Sequence, residues 1–209
     1  MVNSKQILLF VFFALIFTCS TVVEPYPFSW IVKLIPMAIL IFITFGQLQT
    51  TAHKLFLTGL IFSSFGDFFL DYDRVNWFVY GLLSFLIAHL FYMMSFVPIE
   101  KKRLIPVLGF MLYGIVIMKV IGPGLGELLI PVFAYMAILL MMGITTLLSK
   151  KSNIWLIIGG LSFILSDSLI AVNKFHMDIP FAHTFVMATY YFAQFSLVKG
   201  MFNQSEETV

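Results

Sequence analysis

The sequence predicts an all-α integral membrane protein, a polytopic bundle of about eight transmembrane helices with both termini cytoplasmic, and three observations carry that reading. Hydrophobic residues make up 61% of the 209 and charged residues 11%, whereas a soluble domain is about half apolar and about a quarter charged. Apolar stretches of about 20 residues, enough to cross a hydrocarbon core, recur about eight times. The polar breaks between them are short, so one bundle takes up residues 1–209 and leaves no room for a soluble domain.

The spans fall at approximately 6–23, 29–46, 52–70, 77–97, 103–120, 127–148, 154–172 and 178–199. The first, "MVNSKQILLFVFFALIFTCS", has the outline of a signal peptide, with Lys5 ahead of an apolar run. Its "TCS" is a poor cleavage site and the run is long enough to span, so it is expected to stay as a helix. The second span carries Lys33 and Pro36 in "WIVKLIP". This lysine either snorkels its ammonium to the interface along an apolar stem or meets a buried acid or a phosphate. The third, ending in "GLIFSSFGDFFLDYD", sets Asp67 inside an apolar run, while Asp71 and Asp73 are expected to be solvated at the interface beside Arg74. The fourth contains His89 and Tyr92; the fifth follows "EKKR", and no site residue is singled out in it or in the sixth. The seventh carries Ser166, Asp167 and, near its end, Asn173. In the eighth, His183, Met187, Tyr190 and Gln194 follow spacings of four, three and four and so share one face. Polar residues aligned in this way point into a bundle, either to bond neighbouring helices or to line a cavity.

Orientation follows from Lys and Arg. Lys5, Lys54, Lys101, Lys102, Arg103, Lys150, Lys151 and Lys199 lie on one side, against Arg74, Lys119 and Lys174 on the other. The richer side is cytoplasmic. At about 1.5 Å per residue, Asp67, Asp167, Lys33 and His183 then share a layer roughly 6 Å inside the other face, with His89 deeper at roughly 18 Å. An ionised Asp inside a span costs about 2.5–3.5 kcal/mol, so such residues face a bundle interior or a wet cavity. Two at one depth suggest one cavity.

The sequence also half repeats itself. Gly59 and Gly159 each precede an aspartate by eight positions, and "AHLFYM" echoes "AHTFVM", which would pair His89 with His183 in two parallel halves of four helices. Several chemistries are set aside. With no basic cluster beyond "EKKR", a nucleic-acid partner is not expected, and Cys19, the only cysteine, cannot form an internal disulfide or a thiolate cluster. No pair of His stands at i and i+4, and "GGLSFI" lacks the closing Gly of a nucleophile elbow, so neither a metal site nor a serine hydrolase is expected.

The chemistry therefore centres on Asp67 and Asp167. Two carboxyl groups in one low-dielectric chamber drive their proton affinities apart, so one can remain an acid while the other is an ionised base. The structural alternative is a pair neutralised by Lys33 or by the hydroxyls of Ser63, Ser166 and Ser168.

The segments "GLIFSSFGDFFL", "FVYGLLSFLIAHLFYMMSF", "GGLSFILSDSLIAVNKF" and "ATYYFAQFSLV" together resemble the lysoplasmalogenase family, the YhhN-like membrane proteins, over roughly residues 30–198. The resemblance implies a bundle of about eight helices that hydrolyses the vinyl ether of a lysoplasmalogen to a fatty aldehyde and glycerophospho-choline or -ethanolamine. It implies Asp67 and Asp167 as the catalytic pair, in unassigned order. It further implies Lys33, His89, Tyr92, Ser166, Asn173, Tyr190, Tyr191 and Gln194 as residues that bind or orient substrate, and no metal or redox cofactor. The implied partner is a lysophospholipid in a bacterial inner membrane or an intracellular membrane such as the endoplasmic reticulum. Two other classes stay open on the residues alone: an ion- or proton-coupled transporter, and a lysolipid-binding protein without catalysis.

Overall fold

The computed structural model describes residues 3–100 and 105–202, and eight α-helices run through them. They are α1 (Ser4–Ser20), α2 (Ser29–Phe45), α3 (Thr51–Tyr72), α4 (Phe78–Ser95), α5 (Ile105–Ile121), α6 (Leu129–Leu148), α7 (Ile154–Phe175) and α8 (Ala182–Phe202). Each predicted span finds its helix, with ends displaced by a few residues. The largest displacement is at the start of α8, where residues 178–181 form a loop. Lys101, Lys102 and Arg103, which weigh in the orientation, lie outside the described residues.

Local chemistry sets several helix starts. Asn3 caps α1 in a reciprocal capping box with Gln6, Thr50 accepts from the His53 N–H at 3.2 Å, and Asn153 accepts from Trp155 and Leu156 at 3.0 and 3.1 Å. The turn between α3 and α4 is built by Asp73, whose Oδ1 accepts from the Val75 and Asn76 N–H groups at 3.0 and 2.9 Å. Those bonds hold the Asp73 carboxyl below its usual range, the Asn76 side chain contributing most.

Successive helices alternate in direction. Thr21, just after α1, bonds Thr184 at the start of α8, and Ser29 at the start of α2 bonds Asp71 at the end of α3. At the opposite end, Asn153 before α7 donates to the Gly200 carbonyl near the end of α8, and the His53 ring packs on Phe202.

The helix pairs α3–α4 and α7–α8 pack most closely. Small residues permit this approach, as in other membrane bundles. A Cβ on Gly59 would lie 2.5 Å from the Tyr92 ring, and one on Gly200 would lie 2.7 Å from the Leu156 backbone nitrogen. The half repeat in the sequence therefore corresponds to two similarly packed hairpins, but its histidine echo does not. His89 lies in the middle of α4, whereas His183 is in the first turn of α8, so the two "AH" motifs occupy different depths.

Among the described residues, six helices are long and apolar enough to cross a membrane: Ser4–Val23, Thr51–Tyr72, Phe78–Ser95, Val107–Gly124, Gly126–Leu148 and Ile154–Phe175. α2, with 17 residues, is shorter. α8 falls short in apolarity rather than length because it carries His183, Tyr190, Tyr191 and Gln194, yet Tyr190, Tyr191 and Gln194 are buried. Phe12, Leu15, Phe42, Phe65, Leu112 and Phe133 face outward, as lipid contact requires. The protein is a multi-pass membrane bundle in which α8 turns its polar face inward and Phe185 and Phe192 outward.

Candidate active site

The two buried aspartates reach the same interior space from different hairpins. Asp67 is 2% exposed on α3 and Asp167 is 8% exposed on α7. Both line a cavity of about 220 Å³ whose polar wall also includes Lys33, Ser166, Asn173 and Tyr190. Phe78, Phe85, Ile170, Val186 and Met187 form its apolar wall.

Each carboxylate ends a chain of hydrogen bonds led by a tyrosine. Tyr190 donates to Asp67 Oδ2 at 2.5 Å and accepts from Gln194 Nε2 at 3.2 Å. Gln194 Oε1 accepts from Tyr92 at 2.9 Å, and the Tyr92 oxygen lies 3.1 Å from Ser63. Because the Tyr92 proton goes to Gln194, Ser63 is the donor in that last pair. The chain Ser63, Tyr92, Gln194, Tyr190, Asp67 thus has a single direction. On the other side Tyr135 of α6 donates to Asp167 Oδ2, and its oxygen lies 3.1 Å from His89 Nε2. His89 Nε2 itself stands 3.8 Å from Asp167 Oδ2.

The predicted residues thereby divide. Lys33, Asp67, Ser166, Asp167, Asn173 and Tyr190 border the cavity. Two of these hydroxyl and amide groups have local bonds as well: Ser166 donates to the Val186 carbonyl at 3.0 Å, and Asn173 Oδ1 accepts from the Ile179 N–H at 2.8 Å. Tyr92, His89 and Gln194 stand behind, fully buried, and Tyr191 donates to the Lys33 carbonyl at 2.8 Å. His89 and Tyr92 share a helix but serve different carboxylates.

Lys33 does not snorkel. Its side chain is 5% exposed, and the ammonium lies 3.6 Å from Asp67 and 3.9 Å from Asp71. Asp71 is likewise not solvated, contrary to the expectation from the end of the third span. Its side chain has no exposure and takes bonds from Ser29 at 2.5 Å and from Arg74 at 3.2 Å. The reason is the α1–α2 loop, which folds over the end of α3 and brings Glu24 against Arg74 and His183.

Above this layer lies a vestibule of about 440 Å³ that shares Arg74 and His183 with the inner cavity. His183 Nδ1 is 2.8 Å from Glu24. Burial pushes the Glu24 carboxyl up, but the His183 and Arg74 contacts outweigh it and hold the group below its usual range. A narrow apolar cleft leaves the inner cavity in another direction, past Asp167 and between Leu82, Val132, Tyr135 and Met136.

Sequence reasoning missed Tyr135, Glu24 and the structural part of Arg74. A hydroxyl alone in the apolar run "VFAYMAILL" was a signal for Tyr135; Glu24 and Arg74 belong to loops whose proximity no spacing reveals.

The YhhN family matches residues 28–201, which takes in every residue of both tyrosine-led chains. The chain belongs to the YhhN family. Among the relatives of the chain, "Lysoplasmalogenase TMEM86A" of Homo sapiens is 32% identical over 157 residues, which cover 69% of this chain and 63% of that protein. "Lysoplasmalogenase" of Mycobacterium tuberculosis is 29% identical over 153 residues, 69% of this chain and 59% of that protein. "Lysoplasmalogenase TMEM86B" of Homo sapiens is 31% identical over 171 residues, 80% of this chain and 72% of that protein. The chain therefore spans less than two thirds of the length of the first two. No solved structure matches it.

Proposed function

We propose that the protein is a lysoplasmalogenase, which adds water across the vinyl ether of a lysoplasmalogen and releases a fatty aldehyde and a glycerophospho-alcohol. The observation that carries this reading is the bordering of one cavity of about 220 Å³ by Asp67 and Asp167, each with its own tyrosine donor. The names of the relatives support the same activity.

The surroundings of the two acids differ in a way that orients the substrate. Asp167 borders the apolar cleft, and Asp67 stands beside Lys33 and the charged vestibule. The cleft holds only about 30 Å³, so an alkenyl tail must part its walls to enter; a tail directed that way has its outer alkene carbon near Asp167 and its ether oxygen toward Asp67. Asp167 then donates a proton to that carbon, and the resulting oxocarbenium ion is stabilised by Asp67. Water adds to the cation and gives its proton to Asp67. The hemiacetal collapses as the glycerol oxygen takes the proton back from Asp67 and the hydroxyl proton returns to Asp167, so both groups end as they began. Tyr135 and Tyr190 hold the carboxyls in place, and His89, Tyr92 and Gln194 hold the tyrosines.

The test is incubation of purified protein with a lysoplasmalogen and with an ester-linked lysolipid. Fatty aldehyde from the first and no fatty acid from the second is the expected result; fatty acid without aldehyde overturns the reading.

A further inference from the structure

The acid/base chemistry makes no use of the vestibule lined by Thr21, Glu24, Ser29, Asp71, Arg74 and His183, and three observations describe what that space suits. The Arg74 side chain is 51% exposed, and its contacts with Glu24, Asp71 and His183 all run through one nitrogen, Nη2. A guanidinium has five donors in a rigid fork, and those beyond Nη2 suit two phosphate oxygens. The Glu24 side chain is only 6% exposed, yet its Oε1 is buried without a hydrogen-bond partner. A buried carboxylate oxygen of this kind calls for a donor. Finally, His183 is the one aromatic group among the described residues lining the vestibule, whereas quaternary ammonium ligands are recognised by aromatic cages.

We propose that the vestibule is a head-group subsite selective for phosphoethanolamine over phosphocholine. The phosphate pairs with the Arg74 guanidinium, and the primary ammonium donates to Glu24 Oε1, a bond that a trimethylated nitrogen cannot make. The assignment rests on the lysoplasmalogenase reading for its substrate and adds the choice of head group. Glu24, Asp71 and His183 also bring ligand atoms within 4.8 Å of one another, as a divalent cation would require. Arg74 Nη2 contacts all three residues and already occupies that position, so a metal ion would have to expel it.

Calorimetric titration of the purified full chain in detergent with glycerophosphoethanolamine and with glycerophosphocholine reads the head group without turnover. The ethanolamine diester is expected to bind about tenfold tighter to the wild type, the worth of one charge-assisted hydrogen bond. Glu24→Gln should bring the two ligands within about twofold of each other, and Arg74→Gln should weaken both by about tenfold or more. Equal binding to the wild type, binding of neither ligand, or a preference that survives Glu24→Gln overturns the assignment. Stoichiometric binding of Mg²⁺ or Zn²⁺ that is lost in Glu24→Gln also overturns it, in favour of a metal site. The wild-type comparison decides the matter even if Glu24→Gln does not fold. Aldehyde release by the wild type is scored separately, so a failure of the activity is not mistaken for a failure of the subsite.

Discussion

Asp67 and Asp167 differ in their neighbours more than in their burial, and the differences are testable one side chain at a time. Asp67→Asn and Asp167→Asn keep the shape of each side chain and remove the proton chemistry. Each is expected to cut aldehyde release by about 10²–10⁴-fold, the usual scale of general acid/base catalysis, with the folded protein still eluting as one species in detergent. Full turnover in both variants would remove the carboxylates from the mechanism. Tyr135 acts through Asp167, by its hydroxyl bond, and Tyr190 through Asp67. Tyr135→Phe and Tyr190→Phe should each lower kcat by about tenfold, in line with the loss of one buried hydrogen bond that positions a reacting carboxyl. They should also displace opposite limbs of the pH–rate profile, which a purely structural change would leave in place.

Among the helices, the closeness of α3 to α4 is what delivers the Tyr92 hydroxyl to Gln194. A side chain at Gly59 meets the Tyr92 ring, so Gly59→Val should push the ring aside and break the chain that ends on Asp67. The expected result is a loss of activity together with about 1–3 kcal/mol of stability, as overpacking typically costs; a variant with unchanged turnover and unfolding midpoint would argue against that coupling. The helices themselves were legible from apolar length, and Asp67, Asp167 and the polar face of α8 stood out because membrane spans seldom carry such residues. Tyr135 was hidden because one hydroxyl among apolar residues is common. Lys33 and Asp71 were ambiguous for another reason: near a span's end, a charged group is equally at home in water or in a pocket, and only the path of the α1–α2 loop decides. The histidine echo fails for a reason already present in the sequence: the span positions set His89 deeper than His183, and the helices keep that difference.

At the level of the entire bundle, charge and pH are linked through Glu24. Its folded carboxyl sits below its ordinary value of about 4.3, so the stability it contributes is fully present above that value. It is lost as the pH falls through the folded value. Thermal unfolding in detergent should therefore show a wild-type advantage over Glu24→Gln at neutral pH that shrinks as the medium is made acidic below about pH 4. An advantage that persists at low pH would mean that Glu24 acts by packing instead of by charge.

The loop bearing Thr21 and Glu24 precedes residues 28–201, where the family likeness lies, and yet it closes over the ends of α3 and α8. On the head-group assignment proposed above, the ammonium partner Glu24 lies outside the matched stretch, whereas the phosphate partner Arg74 lies within it. Exchange of the short Glu24 loop, with α1 and Arg74 kept, is then expected to alter the ammonium contact while the phosphate contact and the two reacting carboxyls stay where they are.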